Sequence, residues 1–357
     1  MNVIMSLIRQ VPLWFAEHAV DAETHVNLSA VRADGRCLWI AGDETATVER
    51  LTARGESYEG DEGYGGHVTF PLADVLPLPG GREDEVDVEG LARRGPYLWA
   101  VGSHSRKRKR IKRKHEDAKA LRRLAAVSDE PARRVLARLA VTDGPDGLPV
   151  IVPESPTGHR SAVLGAPGLL DLLSGDEHLA PFLAIPGKDN GLDVEGVAAH
   201  GDPDAETLYL GLRGPVLRGW AVVLEVRPRE DGAGRLRLDP VDGDSCYRKH
   251  ALDLGGLGVR DLCPDGDDLL VLAGPSMDLD GPVRVYRWHG AVETDVPGVV
   301  RDEELTIELE LPFGAGDDHA EGIALLSGGE LLVVYDSPAS ARLTRPGVVL
   351  ADVVALP

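Results

Sequence analysis

The chain has 357 residues, 43% of them hydrophobic, which is ample for a sizeable buried core and excludes disorder for the bulk. Acidic residues number 59 against 38 basic ones, a formal net charge of −21, so the surface as a whole repels nucleic acid and anionic membranes and any anion must meet a local exception. Cys37, Cys246 and Cys263 are an odd, widely spaced set with neither CxxC nor Cys/His metal spacing, which argues against a disulfide framework.

The opening MNVIMSLIRQVPLWF lacks a basic start, is interrupted by Arg9 and shows no small-residue cleavage site. No later stretch approaches about 18 apolar residues. The expectation is a cytoplasmic protein of a reducing compartment, without a membrane partner.

Gly (42) and Pro (25) punctuate short apolar runs such as CLWIAG, YLWAVG, LYLGL, LLVLAG and LLVVYD, a pattern of many strands and turns. One unit recurs: a polar strand entry, a small apolar run, a turn containing glycine and a second apolar strand. In chain order the copies are NLSAVRADGRCLWIAGDE from Asn27, DVEGLARRGPYLWAVGSH from Asp87 and DVEGVAAHGDPDAETLYLGLR from Asp193. GVRDLCPDGDDLLVLAGPS from Gly258 and HAEGIALLSGGELLVVYDS from His319 follow. The starts are 60, 106, 65 and 61 residues apart, so an insertion lies in the second unit. It is placed at residues 104–145, where AKALRRLAAV has helical spacing and Ser128, Asp129, Glu130 and Pro131 can open a second helix.

A period near 60 suits a four-stranded blade. The fold class is therefore all-β, a single β-propeller over residues 1–357 with five blades and a helical insertion in the second. Six blades are the alternative, with LPVIVPE, SAVLGAP and LAPFLAIP between Leu148 and Ile185 hiding another; two β-sandwich domains are a further one. VPLWFAE and GVVLADVVAL are expected to pair and close the ring, since closure removes exposed edges. Trp39 and Trp99 hold equivalent second-strand positions and should pack between blades.

If the first strand of each unit lines the channel, the Asp and Glu of DVEG, two apart, share a face. One ring then holds Asn27, Asp87, Asp193, Gly258 and His319, and a second holds Ser29, Glu89, Glu195, Arg260 and Glu321. The ends of the second strands add Asp43, Glu44, Ser103, His104, Arg213, Ser276, Asp336 and Ser337 to the same rim. Converging carboxylates repel and need a cation or an arginine. Ca²⁺ or Mg²⁺ would collect Asp87, Glu89, Asp193, Glu195 and Glu321. Alternatively, Arg260 and Arg213 complete an internal ion network that ties the blades together.

RKRKRIKRK, Arg106 to Lys114, carries eight positive charges in nine positions and follows directly on the rim residues Ser103 and His104. It is either a solvated strip or a dock for an anion, helped by Arg122, Arg123, Arg133, Arg134 and Arg138. Without interleaved aromatics, phosphate or backbone recognition suits it better than base stacking. Walker, GxGxxG, GxSxG and zinc-protease motifs are missing from the sequence.

The DVEGLA and DVEGVA copies, the YLWAVGSHSRKRKR run and the late HAEGIA copy resemble a bacterial propeller family known only as a domain of unknown function, from about His25 to Val354. More distantly, the D-x-E-G-[IVL]-A strand is similar to one in phytase-like, or esterase-like, propellers. That resemblance implies a metal-assisted phosphoester hydrolase with Glu89, Glu195 and Glu321 near the metal; two of the five copies lose the Asp/Glu pair.

The leading expectation is a platform that binds an anionic or phosphate-bearing ligand or partner. Arg106, Arg108, Lys109, Arg110, Lys112, His104, Arg213 and His319 would recruit it at the acidic mouth. The second is a Ca²⁺- or Mg²⁺-dependent phosphoesterase with Glu89, Glu195, Glu321 and Arg260 as catalytic groups. A protein-interaction scaffold is the third. Nucleic acid could bind only through the basic insertion.

Overall fold

The computed structural model describes residues 6–55, 62–82, 84–203, 205–232 and 234–357; residues 1–5, read above for a leader, lie outside them. The chain opens with β1 (Leu7–Trp14) and the short helix α1 (Glu17–Asp21), then runs through β2 (Leu28–Asp34), β3 (Cys37–Gly42), β4 (Thr47–Ala53) and β5 (Tyr64–Pro71). Next come β6 (Val88–Arg94) and β7 (Tyr97–Gly102). A small lobe follows, made of β8 (Lys107–Arg108), α2 (Asp117–Ala125) and β9 (Val127–Ser128). The main path resumes with β10 (Leu136–Asp143), β11 (Pro149–Val152), β12 (Ala162–Leu164) and α3 (Leu169–Leu173). The third stretch comprises β13 (Asp193–His200), β14 (Thr207–Leu217), β15 (Trp220–Gly232), β16 (Arg235–Asp239) and β17 (Tyr247–Leu252). The fourth comprises β18 (Gly258–Asp265), β19 (Asp268–Gly274), β20 (Val283–Trp288), β21 (Gly298–Val300) and β22 (Leu305–Leu311). β23 (His319–Leu325), β24 (Glu330–Asp336), β25 (Leu343–Arg345) and β26 (Val348–Ala355) end the chain.

These strands form because runs such as CLWIAG are apolar on both faces and bounded by turn residues; all six residues of β3 are buried. Asp34–Gly35 makes the tight turn before it, with Gly35 at φ +57°. The repeat units are antiparallel sheets. β1 completes the C-terminal one through pairs such as Val11↔Ala351 and Leu13↔Val349, as the terminal segments predict.

β2 packs on β6, β6 on β13, β13 on β18, β18 on β23 and β23 back on β2. The result is an all-β, propeller-like arrangement of curled sheets whose first strands surround a common axis. The outer strands depart from separate four-stranded units. β5 meets β1 and β12 meets β16 in short parallel contacts, so neighbouring units join at their edges into two long sheets.

Glycine in D-x-E-G is fixed by this ring. A Cβ on Gly90 would lie 2.9 Å from the Val197 amide nitrogen, and one on Gly322 3.0 Å from that of Val31, so each inner strand approaches the next too closely for a side chain. Farther out the sheets pack through large apolar groups. Trp39 and Trp99 are almost fully buried, Trp39 among Leu91, Leu98 and Leu139 and Trp99 among Val197, Leu208 and Leu210. Their indoles donate to Asp34 and Glu206.

The insertion is smaller than residues 104–145. Of its expected helices only Asp117–Ala125 forms; Pro131–Arg133 is a single 3₁₀ turn, and from Leu136 the chain is β10, paired with β7. The run of buried residues from Leu136 to Val141 takes that segment into the sheet. The stretch from Leu148 to Ile185 yields no further sheet among the described residues. β11 and β12 both pair with β10, while LAPFLAIP contains a 3₁₀ turn at Ala180–Phe182.

Candidate functional site

Each inner strand carries a β-bulge at the same place. Pairing skips Ser29 between Leu28 and Ala30, Glu89 between Val88 and Gly90, and Glu195 between Val194 and Gly196. It likewise skips Arg260 and Glu321. A bulge leaves its extra residue without a ladder partner and re-aims its side chain. Here the five extra residues are the five members of the second sequence ring, and four of them carry charge at the channel mouth.

The charges sort into two groups. Glu195 Oε1 accepts from Arg213 Nη1 at 2.6 Å and its Oε2 lies 3.4 Å from Arg260 Nη1, which also pairs with Glu321. Arg213 further donates to the carbonyls of Ser276 and Met277. Asp87 is met by Arg133 Nη2 at 2.7 Å, and the same guanidinium reaches Glu85 and Ser105. Asp43 and Glu89 make no close ion pair among the described residues, although the charge of Lys188 acts on both. The Asp43 Oδ1 atom is buried and accepts no hydrogen bond, and ligand atoms of Asp43, Asp87 and Glu89 all lie within 4.8 Å of one another.

Crowding shifts these groups strongly. Burial, then Asp336, Asp87 and Glu321, pushes Asp43 up to about 8. Burial and the neighbouring Asp87, Glu195 and Asp43 hold Glu89 well above the ordinary carboxylate range. Burial, only partly offset by Arg133, lifts Asp87 to about 6; burial with Glu195 lifts Asp193 to about 7, and burial lifts Glu321 to about 7 against Arg260. Lys188, on the 3₁₀ turn Gly187–Asp189, has its charge opposed by burial and Arg213. Glu321, Glu89 and Glu195 nevertheless hold its pKa above the usual lysine value. Three adjacent oxygen donors with an unsatisfied atom and raised pKa values have the chemistry of a hard-cation site for Ca²⁺ or Mg²⁺.

The expected rings therefore do meet, with a different division of labour. Of the metal set, Asp87 and Glu89 lie close together with Asp43, just past the end of β3, and of these three Arg133 pairs with Asp87 alone. Glu195 and Glu321 are held by arginine, and Asp193 lies beside Gly187 under the influence of Glu195 and Arg213. The arginine network is present at Glu195 and Glu321, whereas Arg213, Arg260 and Arg133 make no ion pair with Asp43 or Glu89. His319 lies on the rim between Asp280 and Asp336, 3.5 and 3.9 Å away, and Asp336 raises its pKa. It lines a cavity with Arg260, Leu279, Asp280 and Phe313.

His104 is not open to a ligand. It is 4% exposed, sits at φ +55° and turns Nδ1 to the Gly102 carbonyl, and burial lowers it to about 4. Arg106 and Arg108 are engaged locally, with Asp129 at 3.6 Å and Asp189 at 2.6 Å, so they anchor the lobe beside the mouth. Arg213 is spent on Glu195. Lys109, Arg110 and Lys112 are exposed and have no acidic partner among the described residues. Arg133 neutralises Asp87, and Arg138 is buried against Glu230 and the Tyr97 ring. Lys188, absent from the sequence reading, lies in an irregular segment with no periodic signal to place it.

Residues 27–352 match the family described as "Protein of unknown function (DUF3616)". The chain belongs to that family. Among solved structures it is similar to the glutaminyl cyclase of Myxococcus xanthus, at 10% identity and TM-score 0.44 over 100% of both chains. It is also similar to a putative oxidoreductase (glucose dehydrogenase) of Thermus thermophilus, at 15% identity and TM-score 0.37 over 97% of this chain and 100% of that one. For a Trypanosoma rangeli sialidase the values are 10% and 0.36, covering 99% and 58%. No curated protein matches the sequence. No helix among the described residues is long and apolar enough to cross a membrane.

Proposed function

We propose that the five inner strands belong to five propeller blades and that their mouth is a cation-assisted site for a phosphate-bearing or otherwise anionic ligand. The observation that carries this is the cluster of Asp43, Asp87 and Glu89, within 4.8 Å, in which Arg133 pairs with Asp87 alone, beside glutamates that arginines already neutralise. Seven mouth carboxylates (Asp43, Asp87, Glu89, Asp193, Glu195, Glu321, Asp336) share four cations (Arg133, Arg213, Arg260, Lys188), and the raised pKa values of Asp43, Glu89, Asp193 and Glu321 mean that a divalent ion would displace protons as it enters. The ion would take carboxylate oxygens, lower their repulsion and offer open coordination to phosphate. Lys188 and the exposed Lys109, Arg110 and Lys112 would add attraction from the rim.

Titration calorimetry with Ca²⁺ and Mg²⁺ tests the reading. Binding that is lost in Asp43→Asn and Glu89→Gln, and inorganic phosphate that binds only with the cation present, are the expected results. Phosphate binding that is indifferent to chelator would remove the cation from the account.

A second reading, a phytase-like phosphoesterase, is favoured by Glu321 near neutrality beside Arg260. When bound, the cation would polarise the phosphoryl oxygen. The water oxygen would bond to phosphorus as the P–O ester bond breaks, Glu321 would take the water proton, the leaving oxygen would depart as an anion and take its proton from solvent, and Arg260 would hold the developing negative charge. Hydrolysis of p-nitrophenyl phosphate with and without chelator separates the two: no turnover alongside intact cation binding leaves a binding protein.

A further inference from the structure

The lobe between β7 and β10 has an unusual surface. α2 buries none of its residues; it rests on polar contacts, with Arg123 Nε on the Arg110 carbonyl at 2.7 Å, Arg108 on the Leu124 carbonyl and the Lys109 amide on the Ala126 carbonyl. Its apolar side chains point outward: Leu121 is 66% exposed and Leu124 44%, with Ile111 and Val127 also exposed. Around them stand Lys109, Arg110, Lys112, Arg113, Lys114 and Arg122, all exposed.

A second exposed apolar group lies across the mouth. Met277, Leu279 and Phe313 are 43%, 62% and 48% exposed. They are on the same face as the lobe. Arg213 ties Met277 to Glu195 on β13, and the lobe stem is tied to the turn that precedes β13 by the Gly187 amide on the Arg106 carbonyl, and to β6 by Arg133 between Asp87 and Ser105. Thus seven of the thirteen exposed large apolar side chains among the described residues crowd onto one face, four of them in the lobe that carries the basic run of an acidic chain.

We propose that this face docks on an anionic phospholipid surface, with the lobe as its cationic and apolar foot and Met277, Leu279 and Phe313 as a second contact. Phosphate recognition alone gives no role to exposed leucines, and a partner helix needs a groove, whereas α2 presents a ridge. A lipid interface accepts a convex element that combines lysines, arginines and aliphatic side chains. Repulsion of anionic membranes by the net charge comes from the body of the protein. The lobe is the local exception, and screening over about 10 Å at 0.1 M salt confines repulsion to surface near the lipid. The docking does not depend on the cation site, although it would turn that site toward lipid headgroups.

Co-sedimentation of the full chain with vesicles tests this. The protein should pellet with phosphatidylcholine vesicles containing phosphatidylserine, remain in solution with phosphatidylcholine alone, and be released by high sodium chloride. Leu121→Ser with Leu124→Ser, both already solvent-exposed, should weaken binding about tenfold while the circular dichroism stays unchanged. Lys112→Gln with Arg113→Gln should reduce the salt dependence. Chelator should leave lobe-driven binding in place, so failure of the cation reading would show separately in calorimetry. No pelleting with anionic vesicles at low salt, or binding indifferent to the two leucines, overturns the proposal. Binding of duplex RNA in preference to vesicles would instead make the lobe a nucleic-acid contact.

Discussion

Arg32 on β2 and Asp261 on β18 form a two-bonded ion pair across the channel, with Nη1 to Oδ2 at 2.8 Å and Nη2 to Oδ1 at 2.6 Å. Their side chains are 5% and 0% exposed. Arg32 also donates to the carbonyls of Val197, Ile323 and Leu262, and Asp261 accepts the Leu262 and Ile323 amides, so one pair links four inner strands. Removing one partner leaves a buried charge uncompensated, which costs about 3–5 kcal/mol. Asp261→Leu should be the worst change because Arg32 stays charged. Arg32→Met should cost less, since two amides still satisfy Asp261. The double variant should be clearly more stable than the sum of the two losses. Urea unfolding of all four proteins measures the coupling, and simple additivity would show that the pair does not act as a unit.

Gly196 follows the bulged Glu195, and a Cβ there would lie 2.9 Å from the Leu262 nitrogen and 3.0 Å from Asp261 backbone carbons. All three atoms belong to backbone that cannot swing aside. Gly196→Ala should therefore cost about 1–3 kcal/mol by overpacking. Gly232→Ala, in open space, is the control and should stay within about 0.5 kcal/mol of the parent. Equal melting temperatures for the two variants would refute the account of why the repeat ends in glycine.

The sequence copies from Asn27, Asp87, Asp193, Gly258 and His319 begin within one residue of β2, β6, β13, β18 and β23. They are readable because a repeated turn and apolar run place strands at a fixed period. The bulges are not readable in the same way. A bulge is a mismatch between two strands, and DVEG looks like plain alternation until its partner's register is known. For the same reason the sequence leaves Glu195 and Glu321 open between the metal set and the network of Arg213 and Arg260: those arginines arrive from β14 and from the neighbouring inner strand, at separations of 18 and 61 residues. Pro131 and the charged run around it resemble a helix start, but the demand of Asp87 for Arg133 and the buried run from Leu136 take that segment into a turn and a strand.

The mouth should make the cation-free protein less stable as pH rises. Asp43 stands at about 8, Asp193 and Glu321 at about 7 and Asp87 at about 6, against ordinary values of 3.8 and 4.5. Between roughly pH 4 and 8 the folded chain holds protons that the unfolded chain has released, so unfolding free energy falls with increasing pH in that window. Thermal melts in chelator should show the midpoint declining from pH 5 to 8, and Ca²⁺ or Mg²⁺ should recover the loss at the upper end. Asp43→Asn should raise the chelator midpoint at pH 8 while abolishing the response to cation. A flat profile in chelator would mean that Arg133, Arg213 and Arg260 already balance the mouth.

The opposite sign applies at Asp176, which fastens the segment after α3 to β17. Its carboxylate accepts from Tyr247 Oη and Lys249 Nζ at 2.7 Å each and from the His178 and Leu179 amides at 2.9 Å. Burial works against the charge, yet Lys249, Tyr247 and the two amides outweigh it and bring the pKa down to about 2 from 3.8. A depressed carboxylate contributes stability that is complete above the unfolded value and disappears as pH falls through the folded one. Asp176→Asn should then cost about 1–2 kcal/mol at neutral pH, allowing for solvent screening on the lysine side, and almost nothing near pH 2. The same segment carries Lys188 and Asp189, the mouth wall and the lobe's anchor. The variant should therefore also loosen Arg108 and speed amide exchange at Gly187, a backbone donor to Arg106. Unchanged exchange at Gly187 in a destabilised variant would separate the wall from the Asp176 clasp.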